Sequence, residues 1–151
     1  MLKTENAVKA LKFWEEKYDD LIKNGYGKNE ESVELDESFR EYLENNGFIN
    51  IGAGCCVRVH KHPNDDVVIK NNMAYGEFAH TFESIVSDYD KPWFLEYLVV
   101  SKDFYCAIQK YVDCSKEARR KAGREINKAN PTNCNYSNMG LKDGEPVIID
   151  D

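Results

Sequence analysis

Residues 48–70 read FINIGAGCCVRVHKHPNDDVVIK, and the fold turns on this stretch. Helical spacing ends at Gly47, and from Phe48 onward β-branched residues and turn formers take over. The segment HPNDD (62–66) has the chemistry of a turn, and it precedes the β-branched run Val67-Val68-Ile69. Two or three strands are expected here, with Lys70 closing the last of them. Within the first part, Ile51-Gly52-Ala53-Gly54 forms a glycine turn; glycine tolerates positive φ, so G-x-G alone is weak as a functional signal. His60 and His62 read as surface residues beside the turn. A metal site using both is the alternative, since alternate strand residues share a face.

Upstream, Val8, Leu11, Trp14, Tyr18, Leu21 and Ile22 recur at three- and four-residue steps among Lys, Glu and Asp, which predicts an amphipathic helix stopped by Gly25 and Gly27. A shorter second helix is expected with Asp36 as its N-cap, Phe39, Tyr42 and Leu43 on one face, and Gly47 past its end. Residues 1–46 therefore read as a two-helix N-terminal extension. Its first helix is expected to pack on the sheet or on a later helix.

Downstream, MAYGEFAHTFESIVSDY (73–89) repeats Tyr75, Phe78, Phe82, Ile85 and Val86 at helical spacing until Pro92. The runs WFLEYLVVSKD (93–103) and FYCAIQKYV (104–112) are aromatic and β-branched, and Ser101-Lys102-Asp103 between them predicts an antiparallel hairpin. A helix follows over 115–129. After an Asn-rich turn come Gly140-Leu141, a Lys-Asp-Gly-Glu turn and the strand Val147-Ile148-Ile149. The pattern is an α+β fold with an antiparallel sheet of five strands.

The 151 residues are 42% hydrophobic, enough for a real core and against a disordered chain. No run of about 18 apolar residues occurs, and the N-terminus is charged throughout, so neither a membrane span nor a secretion signal is expected. Cys55, Cys56, Cys106, Cys114 and Cys134 lack C-x-x-C spacing, which suits reduced cytoplasmic thiols. A net charge of −7 argues against direct nucleic-acid binding. Lys116, Arg119, Arg120, Lys121, Arg124 and Lys128 run against that balance on one predicted helix. A solvated face is the ordinary reading, and docking of an acidic partner or a phosphorylated peptide is the other.

The order of glycine turn, V-I-K strand, helix bearing Glu77 and β-hairpin resembles the small lobe of a protein kinase. The C-terminal segment NMGLKDGEPVIIDD (138–151) resembles N-(M/W)-G-x-x-D-G-x-P-V-(I/L)-I-D of small bacteriophage-encoded serine/threonine-kinase-like proteins. The likeness runs from about Gly52 to the end and implies a minimal kinase-like nucleotide-binding domain over 47–151 with a reduced C-terminal lobe. It implies ATP and Mg²⁺ as cofactors, with Gly52, Gly54, Val57, Lys70, Gln109 and Tyr111 around the nucleotide, the last two in a hinge. Asn138 and Asp150 fall on the two Mg²⁺ ligands. Glu77, with Glu83 as its rival, falls on the carboxylate that holds Lys70.

Three departures qualify the likeness. The third glycine of the loop is replaced by Val57, and no activation loop follows Asp150. Asn133 stands five residues before Asn138, where the family has its catalytic aspartate, and an amide has no carboxylate to accept the hydroxyl proton. Two readings of Asn133 stay open: a pseudokinase, or an introduced isosteric replacement of an active aspartate. The implied partner is a host protein, either as substrate or as the target of a non-catalytic inhibitor in the host cytoplasm.

Overall fold

The 48–70 stretch forms three strands, β1 (Ile49–Ala53), β2 (Val57–Lys61) and β3 (Val67–Asn72), joined by the expected turn at 62–66. The expected hairpin supplies β4 (Tyr97–Val100) and β5 (Cys106–Lys110). Together they make one antiparallel five-stranded sheet in the order β1-β2-β3-β5-β4, with β3 at its centre. This computed structural model describes residues 1–25, 28–53, 57–73, 82, 92–129 and 138–149, without the side chains of 28–33. The helix expected over 73–89 lies outside the described residues, apart from Phe82.

By its contacts the chain divides into two units, Met1–Glu83 with Tyr97–Lys110, and Ser84–Glu96 with Tyr111–Asp151. In the first unit, helices α1 (Glu5–Lys23) and α2 (Lys28–Asn45) pack on the sheet. Alternation along the strands presents Val67, Ile69, Cys106 and Ile108 to one face, where they join Ala7, Leu11, Trp14, Phe39 and Leu43 in a single core. The Trp14 and Phe39 rings meet edge to face at 5.0 Å, and Phe13 stacks on Tyr42 at 4.3 Å. Phe39 is fully buried, so its truncation to Ala would cost about 3–5 kcal/mol. Within the first unit, α1 packs against the sheet.

Long-range polar ties hold α1, among them the following. Thr4, at its N-cap position, makes no side-chain cap; the buried Asp65 of the 62–66 turn instead accepts hydrogen bonds from the Ala7 N–H at 2.7 Å and the Asn6 Nδ2 at 2.9 Å. Helix N-termini leave N–H groups unsatisfied and carry partial positive charge, so a carboxylate is the fitting cap. Further along, Trp14 Nε1 donates to Asp103 in the β4–β5 turn at 2.8 Å.

Two readings are corrected. Asp36 does not begin α2, which starts at Lys28; it lies inside the helix and is buried against the sheet. Its carboxylate accepts from Arg58 of β2 at 3.1 Å and from Asn71 of β3 at 2.8 Å. His60 is not at the surface: it is 1% exposed, facing α2 with its Nδ1 unpartnered. His62, by contrast, sits in the turn with its ring edge to face with Phe48 at 5.2 Å.

The second unit pairs helix α3 (Lys116–Ala129) with a hairpin of β6 (Met139–Lys142) and β7 (Glu145–Ile148). Ser115 caps α3, its Oγ accepting from the Ala118 N–H at 3.2 Å. Asp113 accepts from the Ser115 N–H, which holds its carboxyl below the ordinary range. Ala122 and Ile126 bury against Met139 and Ile148. The two-residue loop Asp143-Gly144 has φ of 52° and 84°, the doubly positive geometry of a tight type I′ hairpin that Asp-Gly favours.

Candidate functional site

The candidate residues of the first unit meet on the sheet face opposite α1 and α2. Register aligns Gly52 with Val59, Val59 with Lys70, Lys70 with Ala107, and Ala107 with Val100. One cross-strand row therefore carries the glycine of β1 and the lysine of β3, two strands or about 9.6 Å apart. Val57 and Phe82 pack with Ala107 on this face, and Val59, Tyr97 and Val100 surround them. Lys70 is 4% exposed, with Nζ 6.0 Å from the centre of the Tyr97 ring, itself edge to face with Phe82.

Gly52 differs in one respect from its expected role. Its φ is not in the left-handed region, and an added Cβ would meet nothing within 4 Å, so neither strain nor crowding demands glycine for folding. Its N–H donates to the side-chain oxygen of Asn50 at 3.0 Å. Gln109 is buried on the same sheet face, aligned with Val68 and with Tyr97. The chain passes from the first unit to the second between Lys110 and Tyr111, inside the segment expected as a hinge. Tyr111 is exposed.

In the second unit Asn138 immediately precedes β6, and its carbonyl accepts from the Ile149 N–H at 2.7 Å. The hairpin thus brings Asn138 beside the residue just before Asp150 in sequence. Gly54, Glu77, Glu83, Asn133 and Asp150 lie outside the described residues. Among the described residues no group of three His, Cys, Asp or Glu side chains is arranged to hold a metal ion. No described helix is long and apolar enough to cross a membrane.

No family model, curated protein or solved structure matches the chain. The structure adds residues that the sequence did not mark as site candidates. Tyr97 and Phe82 wall the Lys70 face, and Asn71, next to Lys70, is held from the opposite face by Asp36. The alternation of β3 signals that Lys70 and Asn71 face opposite ways, but no local pattern names their partners. Cys106 is fully buried, and burial pushes its thiol well above the ordinary range, which leaves it unreactive.

Proposed function

We propose that this chain is a kinase-like protein that binds ATP with Mg²⁺ on the Lys70 face, and that phosphoryl transfer to serine or threonine is weak while Asn133 occupies the catalytic position. The observation that carries this reading is the shared row of Gly52, Val59, Lys70 and Ala107, with Lys70 on the third, central strand of the sheet. Protein kinases place a glycine-rich loop over the phosphates and the phosphate-contacting lysine on their third strand. Asn138 and Asp150 carry the oxygen donors that a hard cation prefers, and the Ile149 N–H donates to the Asn138 carbonyl, one residue before Asp150 in sequence.

Calorimetric titration of ATP with and without Mg²⁺, on this chain and on Lys70→Met and Asp150→Ala, tests the reading. Binding that needs Mg²⁺ and falls at least tenfold in both variants supports it; no binding, or binding indifferent to both changes, removes it. Asn133→Asp is then expected to raise phosphoryl transfer by two orders of magnitude or more, as for restoring a general base. If it changes nothing, the pseudokinase reading of Asn133 stands.

A second reading is a non-catalytic protein that binds a host partner through a kinase-like scaffold. It is favoured by the Gly52 N–H being engaged by Asn50 rather than left open for a phosphate. Partner binding that survives Lys70→Ala and Asp150→Ala would support this reading.

A further inference from the structure

The outer face of α3 concentrates positive charge. Lys116, Arg120, Lys121, Arg124 and Lys128 are all exposed, and none makes an ion pair or side-chain hydrogen bond among the described residues. At about 100° per residue they fall within an arc of about 140°, which also holds the exposed Glu117, so the stripe carries five cations and one carboxylate. That arc lies across the helix from Ala122 and Ile126, which are buried against the β6–β7 hairpin. Arg119, by contrast, is half-buried and spent locally, its Nε donating to the Cys114 carbonyl at 2.7 Å.

Like charges neighbour one another along this stripe. Lys116, Arg120, Arg124 and Lys128 make three successive like-charge pairs at i,i+4, each of which repels. Lys116 opens the helix, where the dipole disfavours a cation, whereas Glu117 in the first turn and Lys128 in the last suit it. The chain has 27 acidic residues against 20 Lys and Arg, so oppositely charged partners are abundant in its own sequence. Even so, these five cations stay open to solvent.

We infer that the exposed face of α3 is a docking surface for an Asp/Glu-rich segment of a partner protein. The stripe spans about 18 Å from Lys116 to Lys128 at the helical rise, which matches five or six residues of extended chain. A line of separated cations fits a run of separated carboxylates. A phosphorylated side chain concentrates its charge at one point and is best held by cations that converge. Nucleic acid is disfavoured because its longer array of phosphates would extend past this stripe onto a molecule of net charge −7. The surface works without nucleotide and does not depend on the proposed ATP site.

The test is fluorescence anisotropy of a labelled octaglutamate peptide titrated with the full chain, without nucleotide, at 50 and 300 mM NaCl. Saturable binding is expected, weakened at least tenfold by the higher salt and at least tenfold by Arg120→Glu with Arg124→Glu. The same change of charge at exposed positions of α1, Lys12→Glu with Lys23→Glu, is expected to leave it within twofold. Arg120→Gln with Arg124→Gln decides the matter should the reversed pair fail to fold, and is expected to weaken binding at least threefold. The proposal is overturned by absent binding, by equal loss in the α1 control, or by tighter binding of a phosphoserine peptide or of octathymidylate.

Discussion

Gly52 and Lys70 lie in one cross-strand row, both aligned with Val59 between them. The row's glycine is structurally permissive, whereas Gly140 of the β6–β7 hairpin is not. A Cβ at 140 would stand 2.8 Å from the Asp113 carbonyl oxygen and 3.2 Å from Val112 and Cys114 side-chain atoms; at 52 it would meet nothing within 4 Å. Gly140→Ala is therefore expected to destabilise by about 1–3 kcal/mol through overpacking, and Gly52→Ala to stay within about 0.5 kcal/mol of the parent. Urea unfolding of the two variants checks this. Equal stabilities would show that the backbone at 140 yields to the added methyl.

The carboxylate of Asp65 caps a helix that begins about sixty residues earlier in sequence. Asp65→Ala leaves the Ala7 and Asn6 donors without it, in a part of the structure where Thr4 offers no replacement. A loss of about 2 kcal/mol is expected, at the upper end for a cap because Asp65 is buried. Hydrogen exchange should show the first turn of α1 losing protection before the rest. Uniform loss of protection along α1 would contradict a capping role.

Asp36 joins α2 to two strands at once. Replacing it by Ala leaves Arg58 and Asn71 desolvated without their acceptor, and removing one partner from a buried pair costs about 3 kcal/mol or more. Asp36→Asn keeps the shape but loses the charge opposite Arg58, so its loss should be smaller. Thermal unfolding of both variants tests the ranking; an alanine variant as stable as the parent would mean that water replaces the carboxylate.

His60 makes stability depend on pH. Burial, and then the Arg58 charge, lower its pKa below the ordinary value, against the weaker opposite pull of Glu44 and Asp36. The unfolded chain takes up the proton near the ordinary value of about 6.5, the folded chain only at lower pH. Between those two values the unfolded state holds more protons, so stability rises with pH; it is fully present above about 6.5 and is lost on acidification below it. His60→Phe should flatten this dependence between about pH 5 and 7. An unchanged slope in that variant would assign the effect to other groups.

Much of the fold is legible where chemistry is local. Ser101-Lys102-Asp103 and Asp143-Gly144 read as turns because their residue types suit the backbone angles needed, and strands flank both. The Val67–Ile69 run reads as a strand for the same kind of reason. Asp36 misleads because a short acidic residue ahead of an apolar face looks like a cap. Its true partners lie 22 and 35 residues away, and only tertiary packing brings them close. His60 misleads because a polar residue between lysine and valine near a turn suggests solvent, whereas α2 covers that strand. Of the candidate site, the alignment of Gly52 with Lys70 was accessible only through strand register, which no single-sequence pattern specifies.

Both outer strands of the sheet carry a shift in register, at Asn50–Gly52 in β1 and at Tyr97–Val99 in β4. The residues skipped are Ile51 and Leu98, and with Ile49 and Val99 they leave four large apolar side chains open to solvent along the two edges. A straight, apolar border of this kind would recruit strands from other molecules and seed aggregation, and irregular pairing bends the border away from that outcome. The two shifts thus work against edge-to-edge pairing at the sheet's outer strands, without a charge at either skipped position.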